Sequence, residues 1–238
     1  MNTKLSVNIN KVALIRNARG EGFPDLVKFA VDCEKFGAEG ITVHPRPDER
    51  HIRYSDIPLL KEVVTTELNI EGNPTDRFMD MVLQYKPHQC TLVPDAPDAL
   101  TSNQGWDTVK YGEKLKRIIG RLQDAGIRVS IFVDDNPEMI IGAEAAGTDR
   151  IELYTGPYAA QFSSNPEAAV NSYMLTAEEA VKRGIGINAG HDLNLENLTF
   201  LIKKIPAIAE VSIGHALIAD ALYYGIKSTI QMYKSKLH

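Results

Sequence analysis

The stretch "IRVSIFVDDNPEMIIGAEAAGTDRIELYTG", residues 127–156, decides the fold. Its first part, "IRVSIFVD", is rich in β-branched side chains and reads as a strand. Asn136 follows as an N-cap and Pro137 takes the first helical position, where its missing N–H costs nothing. "RIELYTG" (150–156) then reads as a second strand. A strand, a helix and another strand in so short a span form one crossover unit, and its strands run parallel.

The same rhythm continues outward in both directions. Toward the N-terminus, strands are predicted at 5–10, 40–44, 67–71 and 89–93. Between two of them, "FPDLVKFAVDCEKFGAEG" (23–40) sets Leu26, Phe29, Ala30, Cys33 and Phe36 at helical spacing, with Pro24 near the start and Gly37 near the stop. "DIPLLKEVVTT", "PTDRFMDMVLQYK" and "GWDTVKYGEKLKRIIGRLQDAG" read as the next helices. Toward the C-terminus, strands at 185–190 and 209–214 alternate with the helices "NPEAAVNSYMLTAEEAVKRG", "NLENLTFLIKKI" and "LIADALYYGIKSTIQMYKSK". "GPYAAQFSSNP" (156–166) reads as a longer, mobile loop. The sum is eight strands in alternation with eight helices. In 238 residues this predicts an α/β fold, a (β/α)8 TIM barrel in a single domain over 1–238, in preference to an open doubly wound sheet.

Composition narrows the function class. A hydrophobic content of 44% and a charged content of 24% fit a globular core rather than a disordered chain. A net charge of −5, without a basic run, gives no footprint for nucleic acid. No window approaches the ~20 apolar residues of a membrane span, and "MNTKLSVNIN" lacks the apolar stretch of a signal peptide. The two cysteines, Cys33 and Cys90, fall in apolar patterns and read as buried reduced thiols. A cytoplasmic protein is expected.

In a barrel the chemistry sits at the C-terminal strand ends. Four of the six histidines, His44, His51, His191 and His215, follow predicted strand ends. Glu71 ends strand 3, and Glu152 lies on strand 6. Carboxyls and imidazoles gathered there suit acid-base work, because burial and neighbours can bring their pKa values near neutrality. The turns "AGHD" and "IGHA" follow strands 7 and 8, where barrels commonly bind phosphate. "ITVHPRPDERHIR" (41–53) adds Arg46, Arg50 and Arg53, with Pro45 and Pro47 stiffening the presentation of His44 and Arg46. Lys11 is an electrostatic contact or a Schiff-base nucleophile. Neither HExxH nor CxxC occurs, so no metal is expected. These residues predict acid-base chemistry on one or two phosphate esters. An aldolase or isomerase of another phosphosugar and a non-catalytic phosphometabolite-binding protein remain open.

The chain resembles the pyridoxine 5′-phosphate synthase family of vitamin B6 biosynthesis over essentially its full length. The markers, in order, are "VNINKVALIRNARG", "GITVHPRPDERHI", "NIEGN", "TLVPD", "TSNQGWD", "IELYTGPYA", "INAGHDLN" and "VSIGHALI". The resemblance implies a barrel assembled as a homo-octamer, without metal or organic cofactor. Its reaction condenses 3-amino-2-oxopropyl phosphate with 1-deoxy-D-xylulose 5-phosphate, giving pyridoxine 5′-phosphate, phosphate and water. Residue by residue, it implies His44 and Glu71 as proton acceptors, His191 as proton donor and Glu152 as support for the transition state. It implies Asn8, Arg19, Asp192, Gly214 and His215 on the aminoketone phosphate. Arg46, His51 and Thr101 fall to the deoxyxylulose phosphate, as do Asn10 and Lys11, which replace an Asp-His pair of the family. The region Thr101 to Gly105 is expected to close over the site. Arg50 and Arg53 receive no role and read as solvated, and the Asp192 carboxylate is expected to turn away from phosphate.

Overall fold

The computed structural model describes residues 2–95 and 102–237. Its elements are β1 (Lys4–Asn8), α1 (Asn10–Arg19), α2 (Leu26–Lys35), β2 (Gly40–Val43), α3 (Asp56–Val63), β3 (Leu68–Gly72), α4 (Asp76–Tyr85) and β4 (Gln89–Leu92). There follow α5 (Gly112–Asp124), β5 (Arg128–Val133), α6 (Pro137–Ala146), β6 (Arg150–Tyr154), α7 (Gly156–Phe162) and α8 (Pro166–Lys182). The chain ends with β7 (Gly186–His191), α9 (Leu198–Lys204), β8 (Ile208–Ile213), α10 (His215–Tyr224) and α11 (Ile226–Ser235). The eight strands form a closed barrel in sequence order. Each strand pairs in parallel with the next, and β1 closes the ring on β8 through the register Lys4–Val7 against Glu210–Ile213. The (β/α)8 barrel expected from the sequence is the observed fold. The unit that decided it behaves as expected: the Asn136 side chain accepts from Glu138 N, and Pro137 opens α6.

Three helices among the described residues were not expected. α1 was hidden because one of its three buried positions is Arg16, a polar residue where the pattern asks for an apolar one. That arginine forms a two-pronged pair with Asp56, at 2.7 and 2.9 Å. α7 replaces the predicted loop at 156–166. Its Tyr158 is fully buried and donates to Asn197 O at 2.7 Å, so the segment is packed down. The last predicted helix is two helices, broken at Gly225, whose φ of 75° and ψ of 147° leave helical space.

Alternate strand residues face outward. Leu5, Val7, Ile41, Ile70, Ile131 and Val211, all fully buried, form an apolar shell beneath the helices. The opposite set faces the lumen and is polar. Asn188 Nδ2 of β7 donates to Gln89 Oε1 of β4 at 3.3 Å, and strands so far apart in the ring meet only across the interior. Arg128 Nε donates to the same oxygen at 2.9 Å, and Arg150 Nη1 to Asn188 Oδ1 at 3.0 Å. Above them, Thr91, Asn69, Thr42 and Ser6 form a continuous hydrogen-bonded arc. Barrels of this type are more often filled with Val, Ile and Leu. Both cysteines are free and buried, as expected.

Candidate active site

A cavity of about 510 Å³ opens at the C-terminal strand ends. Its wall gathers, from successive strands and the turns that follow them, nearly every residue singled out in the sequence. Asn8, Asn10 and Lys11 come from β1 and the start of α1; His44, Arg46, Arg50 and His51 follow β2; Glu71 lies on β3 and Glu152 on β6. His191 and Asp192 close β7, and Ser212, Gly214 and His215 close β8. A smaller cavity of about 140 Å³ lies beside it, lined by Pro45, Tyr54, Asn73, Phe78 and Asp95, and it shares His44 and Arg46 with the first.

His44 and Glu71 face each other, with Nδ1 4.0 Å from Oε2. That is beyond hydrogen-bond length. Burial, followed by the nearby Arg46 and His51, holds the His44 pKa well below its usual value. Burial raises that of Glu71 well above the carboxylate range, and the charges of Glu152 and Asp95 add to it. Both directions favour a neutral imidazole beside a protonated carboxyl, not an ion pair. The Asn10 side-chain oxygen accepts from His44 N at 3.0 Å and so fixes where His44 starts. Asn10 therefore spends its oxygen on the protein and keeps only its amide N–H groups for a ligand.

Glu152 is 3% exposed. Its Oε2 has no hydrogen-bond partner among the described residues. Burial pushes its pKa to about 7, against the opposing influence of His191 and of the Thr91 hydroxyl. His191 has a φ of 98°, a strained value for a residue with a side chain. Its Nδ1 lies 2.9 Å from Asp192 Oδ2, and its ring meets Tyr154 edge-on at 5.5 Å. The Asp192 carboxylate thus holds the His191 ring. That bond is the main cause of its lowered pKa.

At the β2 side, Ile52 N donates to His51 Nδ1 at 2.9 Å. In the neutral ring the proton must then sit on Nε2, which makes His51 a hydrogen-bond donor. Burial, with Arg46 and Arg50 beside it, brings its pKa down to about 4, so the neutral form holds at neutral pH. The backbone here is pinned from α1: Arg16 Nη2 and Asn17 Nδ2 donate to His51 O at 3.1 and 2.7 Å. Two helix N-termini also reach this rim, those of α1 at Asn10 and α10 at His215. Helix starts present N–H groups and positive dipole ends to anions. A Cβ on Gly214 would come within 3.1 Å of Asn8, so glycine permits the close β1–β8 approach there.

Not every expected residue joins the cavity. Arg19 is exposed at the C-terminal end of α1 and does not line it. Thr101 lies outside the described residues, as does the start of the segment expected to close. The far side of that segment is anchored: Gly105 N donates to Asp134, and Trp106 Nε1 donates to Leu92 O at 3.0 Å. Arg53 stays off the cavity, as expected, but Arg50 lines it and is corrected accordingly. Ser102 and Ser212 also line it and were missed. Strand parity would have found Ser212, two residues before Gly214.

The sequence model described as "Pyridoxal phosphate biosynthesis protein PdxJ" matches residues 5–238. A protein of Cytophaga hutchinsonii named pyridoxine 5′-phosphate synthase is 61% identical over 235 residues, 99% of each chain. One of the same name from Bacteroides thetaiotaomicron is 59% identical over 235 residues, again 99% of each. Among solved structures, monomers of a phosphoribosylanthranilate isomerase from Thermotoga maritima superpose with a TM-score of 0.62 at 14% identity, covering 99% of this chain and 98% of that one. A thiamine phosphate pyrophosphorylase from Pyrococcus furiosus gives 0.62 at 11% identity, covering 99% and 95%. At those identities the likeness is one of fold.

Proposed function

The chain belongs to the PdxJ family of pyridoxal phosphate biosynthesis proteins, and from that premise we propose how its strand ends divide the work. The activity is pyridoxine 5′-phosphate synthesis, the condensation of 3-amino-2-oxopropyl phosphate with 1-deoxy-D-xylulose 5-phosphate. The amine and a ketone form a Schiff base, phosphate and water leave, and the ring closes. Protons move several times without a change of oxidation partner. Several acid-base groups and two anion grips are what this needs.

The observation that carries the assignment of roles is the convergence of His44, Glu71, Glu152 and His191 on one cavity with two helix N-termini at its rim. His44 is the ready acceptor, because burial keeps it neutral. Glu71 starts protonated. It becomes an acceptor after passing its proton on, and His44, 4.0 Å away, is a base within reach of a small adjustment. His191 is the donor, its ring oriented by Asp192. Glu152, poised near neutrality, answers charge developing on the substrates. Arg46, His51, Lys11 and the Asn10 amide take the deoxyxylulose phosphate. Asn8, Gly214, His215 and the Asp192 backbone take the aminoketone phosphate, and Thr101 and Arg19 complete the set.

No described helix is long and apolar enough to cross a membrane. We place the enzyme in the cytoplasm as a homo-octameric transferase. Leu222, Tyr223 and Tyr224 at the end of α10, 75, 86 and 56% exposed, support an oligomer, because such patches favour burial between subunits. The deciding experiment mixes both substrates and follows product absorbance and phosphate release. Glu71→Gln is expected to lower kcat by about 10²- to 10⁴-fold, the usual worth of a positioned acid-base group. Wild-type turnover in that variant would remove Glu71 from the mechanism.

A further inference from the structure

Asp95 follows β4 and lines the smaller cavity but not the larger one, and Arg46 lines both. Its Oδ2 accepts two hydrogen bonds of 2.6 Å, from Arg46 Nη2 and from Ser102 Oγ. Its backbone carbonyl accepts from Asn73 Nδ2 at 2.9 Å. The side chains of Arg46 and Asp95 are 4% and 5% exposed, so this ion pair is dry. A buried guanidinium needs a counter-charge, and a fixed partner removes in advance the rotamer freedom that a long arginine side chain would lose on binding. Arg46 lines both cavities, so its side chain has two spaces into which it could settle. Asp95 grips one edge of the guanidinium plane and thereby sets the direction of the rest. Asn73 fixes the Asp95 backbone, and Ser102, seven residues on, fixes its rotamer.

We propose that Asp95 is a positioning residue for the condensation: through the Nη2···Oδ2 contact it aims Arg46 at the deoxyxylulose phosphate, and Ser102 holds it in the conformation that does so. This rests on the reading of Arg46 as the grip on that phosphate. Asp95 itself is not in the wall of the larger cavity. Its positioning effect passes through Arg46 and falls on one substrate, whereas its charge also bears on Glu71.

Steady-state kinetics with each substrate varied in turn tests this on the purified enzyme. Asp95→Ala is expected to raise KM for 1-deoxy-D-xylulose 5-phosphate about tenfold or more, the scale of a lost hydrogen bond to a charged group. The aminoketone KM should stay within about threefold, and the KM split between the two substrates is the readout, because kcat also feels the Asp95 charge through Glu71. Ser102→Ala should move the same KM in the same direction by less. Arg46→Ala combined with Asp95→Ala should be no worse than Arg46→Ala alone, because the second residue acts through the first. Asp95→Asn, which keeps the shape and loses the charge, should fall between wild type and alanine, and it replaces alanine if that variant does not fold. An unchanged or lowered KM for the ketose phosphate would overturn the proposal, since Asp95 would then compete with phosphate for Arg46. So would additive losses in the double variant. If Arg46→Ala instead raises the aminoketone KM and Asp95→Ala follows it, the ketose assignment fails while the positioning role stands. If the two variants affect different substrates, the positioning role fails.

Discussion

Gly190→Ala puts one methyl group against the proposed catalytic carboxylate. A Cβ at this position would lie 2.4 Å from Glu152 Oε1 and 3.2 Å from Ser212 O. Ordinary contact begins near 3.4 Å, so Glu152 Oε1 must retreat by about 1 Å. The backbone at Gly190 is not left-handed, so alanine brings no conformational strain of its own. Two escapes are open, and both are hindered. Glu152 is buried, which limits where its carboxylate can go. β7 is tied to the end of β6, where Thr155 donates to Gly190 O from both its backbone N–H and its hydroxyl. The carboxylate tip is the softer of the two and moves.

Overpacking of this size costs about 1–3 kcal/mol of stability. Misplacing a reacting group by about 1 Å costs about 10²-fold in rate. The expected variant is therefore folded, modestly destabilised in a thermal melt, and about a hundredfold slower in phosphate release. Gly186→Ala is the control on the same strand at the opposite barrel end, where a Cβ would press on Arg150 Cγ at 2.9 Å. It should lose stability and keep kcat. A Gly190→Ala enzyme with kcat within about threefold of wild type, or a Gly186→Ala enzyme equally slow, would refute the claim that Glu152 must stand where it does.

Three further outcomes follow from the same geometry. Arg50→Ala should raise KM for the ketose phosphate with little change in melting temperature, because Arg50 lines the cavity and its ion pair with Asp48 is partly exposed, which makes that pair worth little to stability; an unchanged KM would return it to the solvated set. Glu210→Gln should stabilise the protein more at pH 8 than at pH 5. Burial and the adjacent Glu67 raise the Glu210 pKa from 4.5 to about 8, so the folded state holds a proton that the unfolded state releases, and stability falls as pH rises through that window. Melting curves for variant and wild type that run parallel with pH would contradict it. Gly120→Ala, in the middle of α5 with no atom within 4 Å of its Cβ position, should raise stability by about 0.5–1 kcal/mol and leave kinetics alone.

The barrel and much of its site were legible because both follow from local rules. Crossover units repeat, and a residue at a strand end must face the mouth, so His44, Glu71, Glu152 and His191 could be grouped without coordinates. What was not legible depends on distant partners. α1 is hidden by Arg16, which is buried only because Asp56 meets it from another crossover. Asp192 was expected to turn its carboxylate from phosphate, and the partner that carboxylate takes, the neighbouring His191, was not foreseen. Asp95 carries no signal of its own, since its role needs Arg46 and Ser102 at 2.6 Å each. Arg19 entered by resemblance, and this chain's own cavity does not include it.

One signal was present in the sequence and points further. Strands of a parallel barrel are covered on both faces and ordinarily read as continuous apolar runs. Here they alternate, as in "LSVNIN" and "IRVSIFVD". Alternation normally implies a face in water, yet a closed barrel has none on its inner side. The only consistent solution is a polar lumen: Asn188 reaches across it to Gln89, and Glu152 and Glu210 stand in register on either side of Asn188. The charge of a carboxyl in such a lumen is felt by the next: Glu152 and Glu210 both raise the pKa of Glu71, after burial itself. The acid-base character of the mouth is thus set partly by Glu210, which lies within β8 short of its end and outside any reading confined to strand ends.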